Sequence, residues 1–502
     1  MPARHTIPRR VRIAAVAAMT LLPCASLVGQ TSARVARHDS TPADRFHLEP
    51  CSIANIPETV RCGTFWVYED RVTRRGRRIP LKVIVLPARQ VPAAADPVFS
   101  LYGGPGQTAS AYAAQEWNLW YRDHREVVLV DQRGTGSDAP LDCRLSGTDE
   151  NPQGYLEPMF QAPLFKTCRA ELEKRADLRL YGTPVAADDL DEIRQALGYG
   201  MINLAGGSYG ARMALVYIRQ HGAHVRSAVL LSLIPFSLKN PLYHARGAQL
   251  ALDSLLATCQ RQVDCHTAFP DSHQELSAVL DRLERAPVTV TIQHPTSGKP
   301  ITLVIGRTQF AEALRVMMYG AGRASEIPML IHRAFEGDLT AFARQGFASN
   351  YGLRSALRYG MLMSTTCSED VARISEADII RETRGTFLGD DRVRQEIAAC
   401  KEWPAARLPA RYAEPFRSSV PALLITGRYD PVTPPRFGEE VRRQYLSNST
   451  HLIVEQAGHS VTTPCTESIS RQFIERASVA GLDTTCLASQ ALRPFVTKPP
   501  TD

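Results

Sequence analysis

Repeats, low-complexity tracts and metal-binding cysteine spacings are all missing from this chain. Nothing recurs at 20–50 residues, which removes solenoid, propeller and fibrous architectures. No C-x-x-C pair or His-rich spacing accompanies the 11 cysteines, so the usual zinc frameworks are excluded. Long apolar runs are scarce too. The most conspicuous, Ile13 to about Val28, is broken by Pro23 and too short for a membrane span. Charge of one sign is only in mild excess, at a formal +7, and Arg4, Arg9, Arg10 and Arg12 all precede that run. Nucleic acid is therefore not an implied partner.

A basic start followed by a short apolar run reads as a secretory signal segment over residues 1–30, cleaved between Ser26 and Ala36. Leu21-Leu22-Pro23-Cys24 has the outline of a lipoprotein site, but proline directly before the cysteine argues against it. Arg9-Arg10 is a faint twin-arginine signal. Removal of the segment leaves a net charge of about +3 and no stable membrane span. A secreted or periplasmic location follows. Ten cysteines then remain in near-neighbour pairs: Cys51 and Cys62, Cys143 and Cys168, Cys259 and Cys265, Cys367 and Cys400, Cys465 and Cys486. An even count in an exported chain reads as disulfides. The count does not determine connectivity, and the sequential scheme is the expectation. The remaining basic cluster, Arg71 to Arg78, falls between two strand-like runs and reads as a solvated hairpin turn.

The chemistry is concentrated in Leu204-Ala205-Gly206-Gly207-Ser208-Tyr209-Gly210, which fits G-x-S-x-G. Ile202-Asn203-Leu204 reads as a buried strand and Ala211-Arg212-Met213-Ala214-Leu215 as a helix. A serine between the two is the context of a nucleophile elbow. Downstream, the strand-like run 421–427 is followed by Asp430, and His451–Glu455 is followed by Gly458-His459. Ser208, Asp430 and His459 thus stand in the chain order of an α/β-hydrolase triad. His459 is the candidate base, and Asp430 the group that fixes its tautomer. Upstream, the strand Pro97–Leu101 ends in Tyr102-Gly103-Gly104-Pro105-Gly106. A glycine-rich loop there supplies one oxyanion donor, assigned to Gly104 with Gly103 as alternative, and the N–H of Tyr209 supplies the other. Acyl transfer on such a set requires no cofactor and no metal.

These residues resemble a known family. Tyr102–Gly106 resembles the His-Gly-Gly-Pro-Gly oxyanion motif of proline iminopeptidases and tripeptidyl aminopeptidases, with tyrosine where histidine is usual. Asp131-Gln132-Arg133-Gly134-Thr135-Gly136 is similar to the Asp-Gln-Arg-Gly signature of the same serine exopeptidases, and the segment from Asp188 to Gly210 to their nucleophile region. The resemblance runs from about Cys51 to Cys486 and implies an exported peptidase acting on free peptide N-termini.

Strand-like runs at 64–69, 80–87, 97–102, 126–131, 202–206, 226–231, 421–427 and 451–455 predict an α/β-hydrolase core with a mostly parallel sheet. The core is expected over 45–235 and 406–490, with a mainly helical cap domain at 236–405. An irregular excursion fills 139–183, and a strand pair at 288–293 and 301–305 interrupts the cap helices. Ligands of such a sheet bind outside the carboxyl ends of its strands, here under the cap. An aminopeptidase must hold a free ammonium, and Glu369, beside Cys367, is the candidate substrate-binding carboxylate, unless it merely flanks a helix near Ser368. Tyr319, Phe347 and Tyr351 are candidates for an apolar subsite or ordinary cap core. The leading reading is a serine aminopeptidase whose partners are peptides with a free N-terminus. An esterase or lipase-like hydrolase of small esters is the alternative, and a non-catalytic binding protein on the same fold a third. Residue preference, the number of residues released and oligomeric state stay open.

Overall fold

The computed structural model describes residues 46–143, 147–488 and 493–498; the expected signal segment lies outside them. In chain order the strands are β1 (Glu49–Cys51), β2 (Val60–Tyr68), β3 (Arg78–Leu86), β4 (Val98–Leu101), β5 (Val127–Val130) and β6 (Ile202–Gly207). They continue with β7 (Val225–Leu231), β8 (Val288–Gln293), β9 (Pro300–Ile305), β10 (Ala422–Gly427) and β11 (Ser449–Val454). Nine form one sheet in the order β1-β2-β3-β5-β4-β6-β7-β10-β11. The β1–β2, β2–β3 and β3–β5 pairs are antiparallel, and every pair from β5–β4 onward is parallel.

Successive residues of a strand point to opposite faces, and the two faces have different cores. Val83, Val85, Phe99, Leu204, Leu230 and Leu424 pack with the helices Thr183–Ala196 and Tyr209–His221. Ile84, Leu86, Val98, Ala205, Val229 and Ile425 pack with Ala113 and Trp117 and with Ile469 and Phe473 of the helix Pro464–Arg476. A sheet covered on both faces needs apolar residues at consecutive positions, which is why β4, β5 and β10 are buried throughout. The β2–β3 hairpin carries the basic cluster, as expected. Its turn is not wholly solvated: Arg71 pairs with Asp189 at 2.7 Å and Glu192 at 2.8 Å, and Arg77 with Glu69 at 2.9 Å.

Between β7 and β10 the chain is mainly helical, interrupted by the antiparallel pair β8–β9. Leu252, Leu256, Leu283, Leu303, Phe310 and Phe342 form a separate core there, joined by Tyr155 and Leu156 from the 139–183 excursion. The end of this insertion behaves differently. All residues of the helix Tyr359–Glu369 are buried, and Tyr359, Met361, Met363 and Trp403 join the core beneath the sheet. All five cysteine pairs of the sequential scheme are disulfides: 51–62, 143–168, 259–265, 367–400 and 465–486. No helix among the described residues is long and apolar enough to cross a membrane.

Candidate active site

Ser208 joins β6 to the helix Tyr209–His221 with φ 56° and ψ −122°, a left-handed φ that a side-chain-bearing residue rarely takes. The turn persists because its neighbours have no side chain. A Cβ on Gly206 would lie 2.6 Å from the Gly210 carbonyl oxygen, and one on Gly210 would lie 2.1 Å from the Leu101 oxygen. Gly207, one of the motif's two variable positions, meets nothing closer than 3.8 Å.

The end of β7 joins the three candidate loops. Ser208 N–H donates to the Leu231 carbonyl at 2.9 Å, Ser232 N–H to the Ile425 carbonyl at 2.8 Å, and Ser232 Oγ to the His459 carbonyl at 2.7 Å. His459 Nδ1 lies 3.0 and 2.9 Å from the two oxygens of Asp430. Asp430 is fully buried beneath it, and Oδ1 accepts N–H bonds from Val432 and Thr433, each at 2.8 Å. Thr433 Oγ1 donates to Oδ2 at 2.7 Å. Burial alone would push the Asp430 carboxyl up; the facing His459, its hydrogen bond and the Thr433 donors outweigh burial and hold it below its ordinary value. An ionised Asp430 therefore accepts from Nδ1–H, which leaves Nε2 as the basic nitrogen. The Tyr319 ring, tilted at 54°, covers the imidazole at 5.0 Å, and Ser460 N–H donates to the Tyr319 carbonyl at 2.8 Å. Of the three aromatics considered, only Tyr319 reaches His459; Phe347 and Tyr351 pack with Tyr155 and His294 in the separate insertion core.

Ser208 and His459 share a cleft of about 340 Å³ with Tyr102, Gly103, Trp120 and Glu467. A larger groove of about 1180 Å³, around Asp188, Leu408 and Phe416, contains none of the candidate catalytic or oxyanion residues. Tyr209 is the first residue of its helix, so its N–H is one of the donors that no helical carbonyl can accept from. Gly104 has φ 108°, and Gly103 N–H is already engaged by Gln107 Oε1 at 2.9 Å.

Glu369 is not at this cleft. It is fully buried, Oε1 accepts from Thr183 N–H at 2.7 Å, and Oε2 accepts from Thr183 Oγ1 at 2.9 Å and from the Tyr412 hydroxyl. Both oxygens are occupied within the protein, which corrects the expectation that it receives a substrate ammonium. The Asp-Gln-Arg-Gly segment is likewise a brace. Asp131 accepts from Ser110 N–H and Oγ at 2.7 Å each, and Arg133, fully buried, clamps Asp189 with Nε at 2.6 Å and Nη2 at 3.0 Å. Thr433, Ser232 and Gln107 carry no expectation from the sequence, and Tyr319 only that of an apolar subsite or cap core, not of a ring over His459. Of these only Thr433 has a local signal, an Asp three residues ahead of a Thr.

The model of the α/β-hydrolase fold family matches residues 96–462. The chain belongs to that family. This α/β-hydrolase is 23% identical over 485 residues to tripeptidyl aminopeptidase of Streptomyces lividans, covering 88% of this chain and 86% of the relative. It is 24% identical over 480 residues to serine protease Hip1 of Mycobacterium tuberculosis, covering 86% and 88%. Similarity to proline iminopeptidase of Neisseria meningitidis is 28% over 134 residues, covering 27% and 31%. It is a serine hydrolase of this fold, similar along most of its length to serine peptidases.

Proposed function

We propose that the protein is an exported serine aminopeptidase that releases one or a few residues from free peptide N-termini through a Ser208–His459–Asp430 acyl-enzyme mechanism. The observation that carries the reading is His459, hydrogen-bonded from beneath by the buried Asp430, in one cleft with Ser208 on its strained turn. Ser208 Oγ attacks the scissile carbonyl while His459 Nε2 takes its proton. The carbonyl oxygen becomes an oxyanion facing the N–H groups of Tyr209 and Gly104. Collapse breaks the C–N bond, His459 returns the proton to the departing amine, and the N-terminal fragment stays as an ester on Ser208. Water, deprotonated by His459, then releases it as a carboxylic acid. The names of the relatives support peptide bonds and free N-termini as the target, and the five disulfides together with the basic-apolar start support export.

The test is turnover of aminoacyl and tripeptidyl amides, each with a free or acetylated N-terminus, alongside short acyl esters, by the protein and its Ser208→Ala variant. Free amides should be cleaved and acetylated ones spared, and Ser208→Ala should lose about 10⁴–10⁶-fold in kcat. Turnover of esters alone would make it an esterase. Turnover that survives in Ser208→Ala would sink the acyl-enzyme reading.

A further inference from the structure

The loop from Gly103 to Gln107 is closed at both ends by one residue. Gln107 N–H donates to the Gly103 carbonyl at 3.2 Å, and Gln107 Oε1 accepts from Gly103 N–H at 2.9 Å. The loop presses on the nucleophile turn, since a Cβ on Gly103 would lie 3.3 Å from that of Ser208. Gln107 is held in turn from behind. Its Nε2 donates to the Tyr112 hydroxyl at 3.1 Å, and the Tyr112 ring stacks on Tyr102 with centroids 4.2 Å apart. The Tyr102 hydroxyl donates to Glu116 Oε1 at 2.7 Å, and Ser100 Oγ donates to the same oxygen at 2.6 Å. On the other side Gln107 pairs with Leu357, and Arg358 N–H donates to the Gly106 carbonyl at 3.0 Å.

We propose that Gln107 is a positioning residue for acyl transfer, braced by Tyr112, Tyr102 and Glu116. By engaging Gly103 N–H it fixes the turn and leaves Gly104 N–H as the loop's donor to the oxyanion, with Tyr209 N–H as the other. The inference rests on the acyl-enzyme reading above. A donor stabilises the oxyanion only when it lies 2.7–3.1 Å from where that oxygen forms. The substrate carbonyl binds before the charge develops, so losing the brace affects kcat and leaves KM nearly unchanged.

The experiment compares kcat and KM of the protein with Gln107→Ala, Gln107→Met and Tyr112→Phe on a free-N-terminus peptide amide. It also compares binding of a peptide boronic acid as transition-state analogue. Gln107→Met keeps length and packing but replaces the amide acceptor for Gly103 by a weak thioether one and has no donor for Tyr112, so it separates positioning from mere space-filling. Both Gln107 variants should lose about 10²-fold in kcat, the scale of a 1 Å misplacement, with KM within about twofold and boronate affinity falling in parallel. Tyr112→Phe, which removes only the acceptor for Nε2, should lose about three- to tenfold. If Gln107→Ala does not fold, Gln107→Met carries the test. A Gln107→Met enzyme with kcat within about threefold of the parent, or with its loss in KM, overturns the proposal. Ser208→Ala distinguishes the failures: an inactive Ser208→Ala beside an undisturbed Gln107→Met removes the positioning role alone, whereas an active Ser208→Ala removes the reaction it serves.

Discussion

Thr433 holds Asp430 from two directions, with its backbone N–H on Oδ1 and its hydroxyl on Oδ2. The hydroxyl fixes the carboxylate plane against His459 Nδ1 and helps keep the buried charge ionised. A hydrogen bond to a buried charged group contributes about 1.5–3 kcal/mol. Thr433→Val keeps the shape and removes the hydroxyl from both Asp430 Oδ2 and His459 Nδ1, which lies 3.3 Å from it, so kcat should fall about 10- to 100-fold with little change in KM. An unchanged kcat would mean that the two backbone N–H groups suffice. At this scale the sequence was most informative where the chemistry is local. The Ser208 turn needs Gly206 and Gly210 within two residues of it, and Asp430 and His459 each follow an apolar strand, so all three leave a nearby pattern. Glu369 shows the limit. Its acidic neighbourhood is visible in the sequence, but Thr183 and Tyr412, which occupy it, come from distant segments.

Among the elements, parallel strands were legible because a sheet covered on both faces demands unbroken apolar runs. The three-residue β1, with two exposed positions, has no such run and escaped notice. Between β7 and β10 the helices over 250–260 and 273–285 were legible, but Tyr359–Glu369 was not: the sequence suggested a helix starting near Ser368, where one ends, and periodicity does not say that this helix packs beneath the sheet. It is joined by the Cys367–Cys400 disulfide to the helix Asp391–Lys401, which carries the buried Glu396. Burial, only partly offset by Arg392 and a Thr366 hydroxyl, pushes the Glu396 carboxyl up to about 7 from 4.5. Between those values the folded chain holds a proton that the unfolded chain has lost. The stability contribution is therefore full below pH 4.5 and is lost as pH rises through about 7. The shift corresponds to about 3 kcal/mol. Glu396→Gln removes that dependence, so its melting temperature relative to the parent should be higher at pH 8 than at pH 5. An equal gap at both pH values would show that Glu396 does not titrate in this window.

For the molecule as a whole, the disulfides tie only local loops, with separations from 6 residues at Cys259–Cys265 to 33 at Cys367–Cys400. None spans the sheet, so the core does not depend on them for its topology. They restrict the unfolded chain around irregular or peripheral segments, such as the join between β1 and β2 and the one between the helices Pro464–Arg476 and Thr485–Ala488. Neither count nor spacing determines the connectivity, and the sequential scheme agrees with the structure because each pair closes a local loop. In the chain-entropy picture the cost of losing a cross-link grows with the loop it closes: about 2 kcal/mol for the shortest here and about 3–4 for the longest. The double variant C367S/C400S should therefore unfold at lower denaturant than C259S/C265S, with both still folded and both still turning over substrate. If the six-residue link proves the more costly, strain or packing at the sulfurs governs the stabilisation and not loop length. If dithiothreitol abolishes the fold outright, the sheet is weaker without its cross-links than its buried strands imply, and folding would then depend on an oxidising compartment.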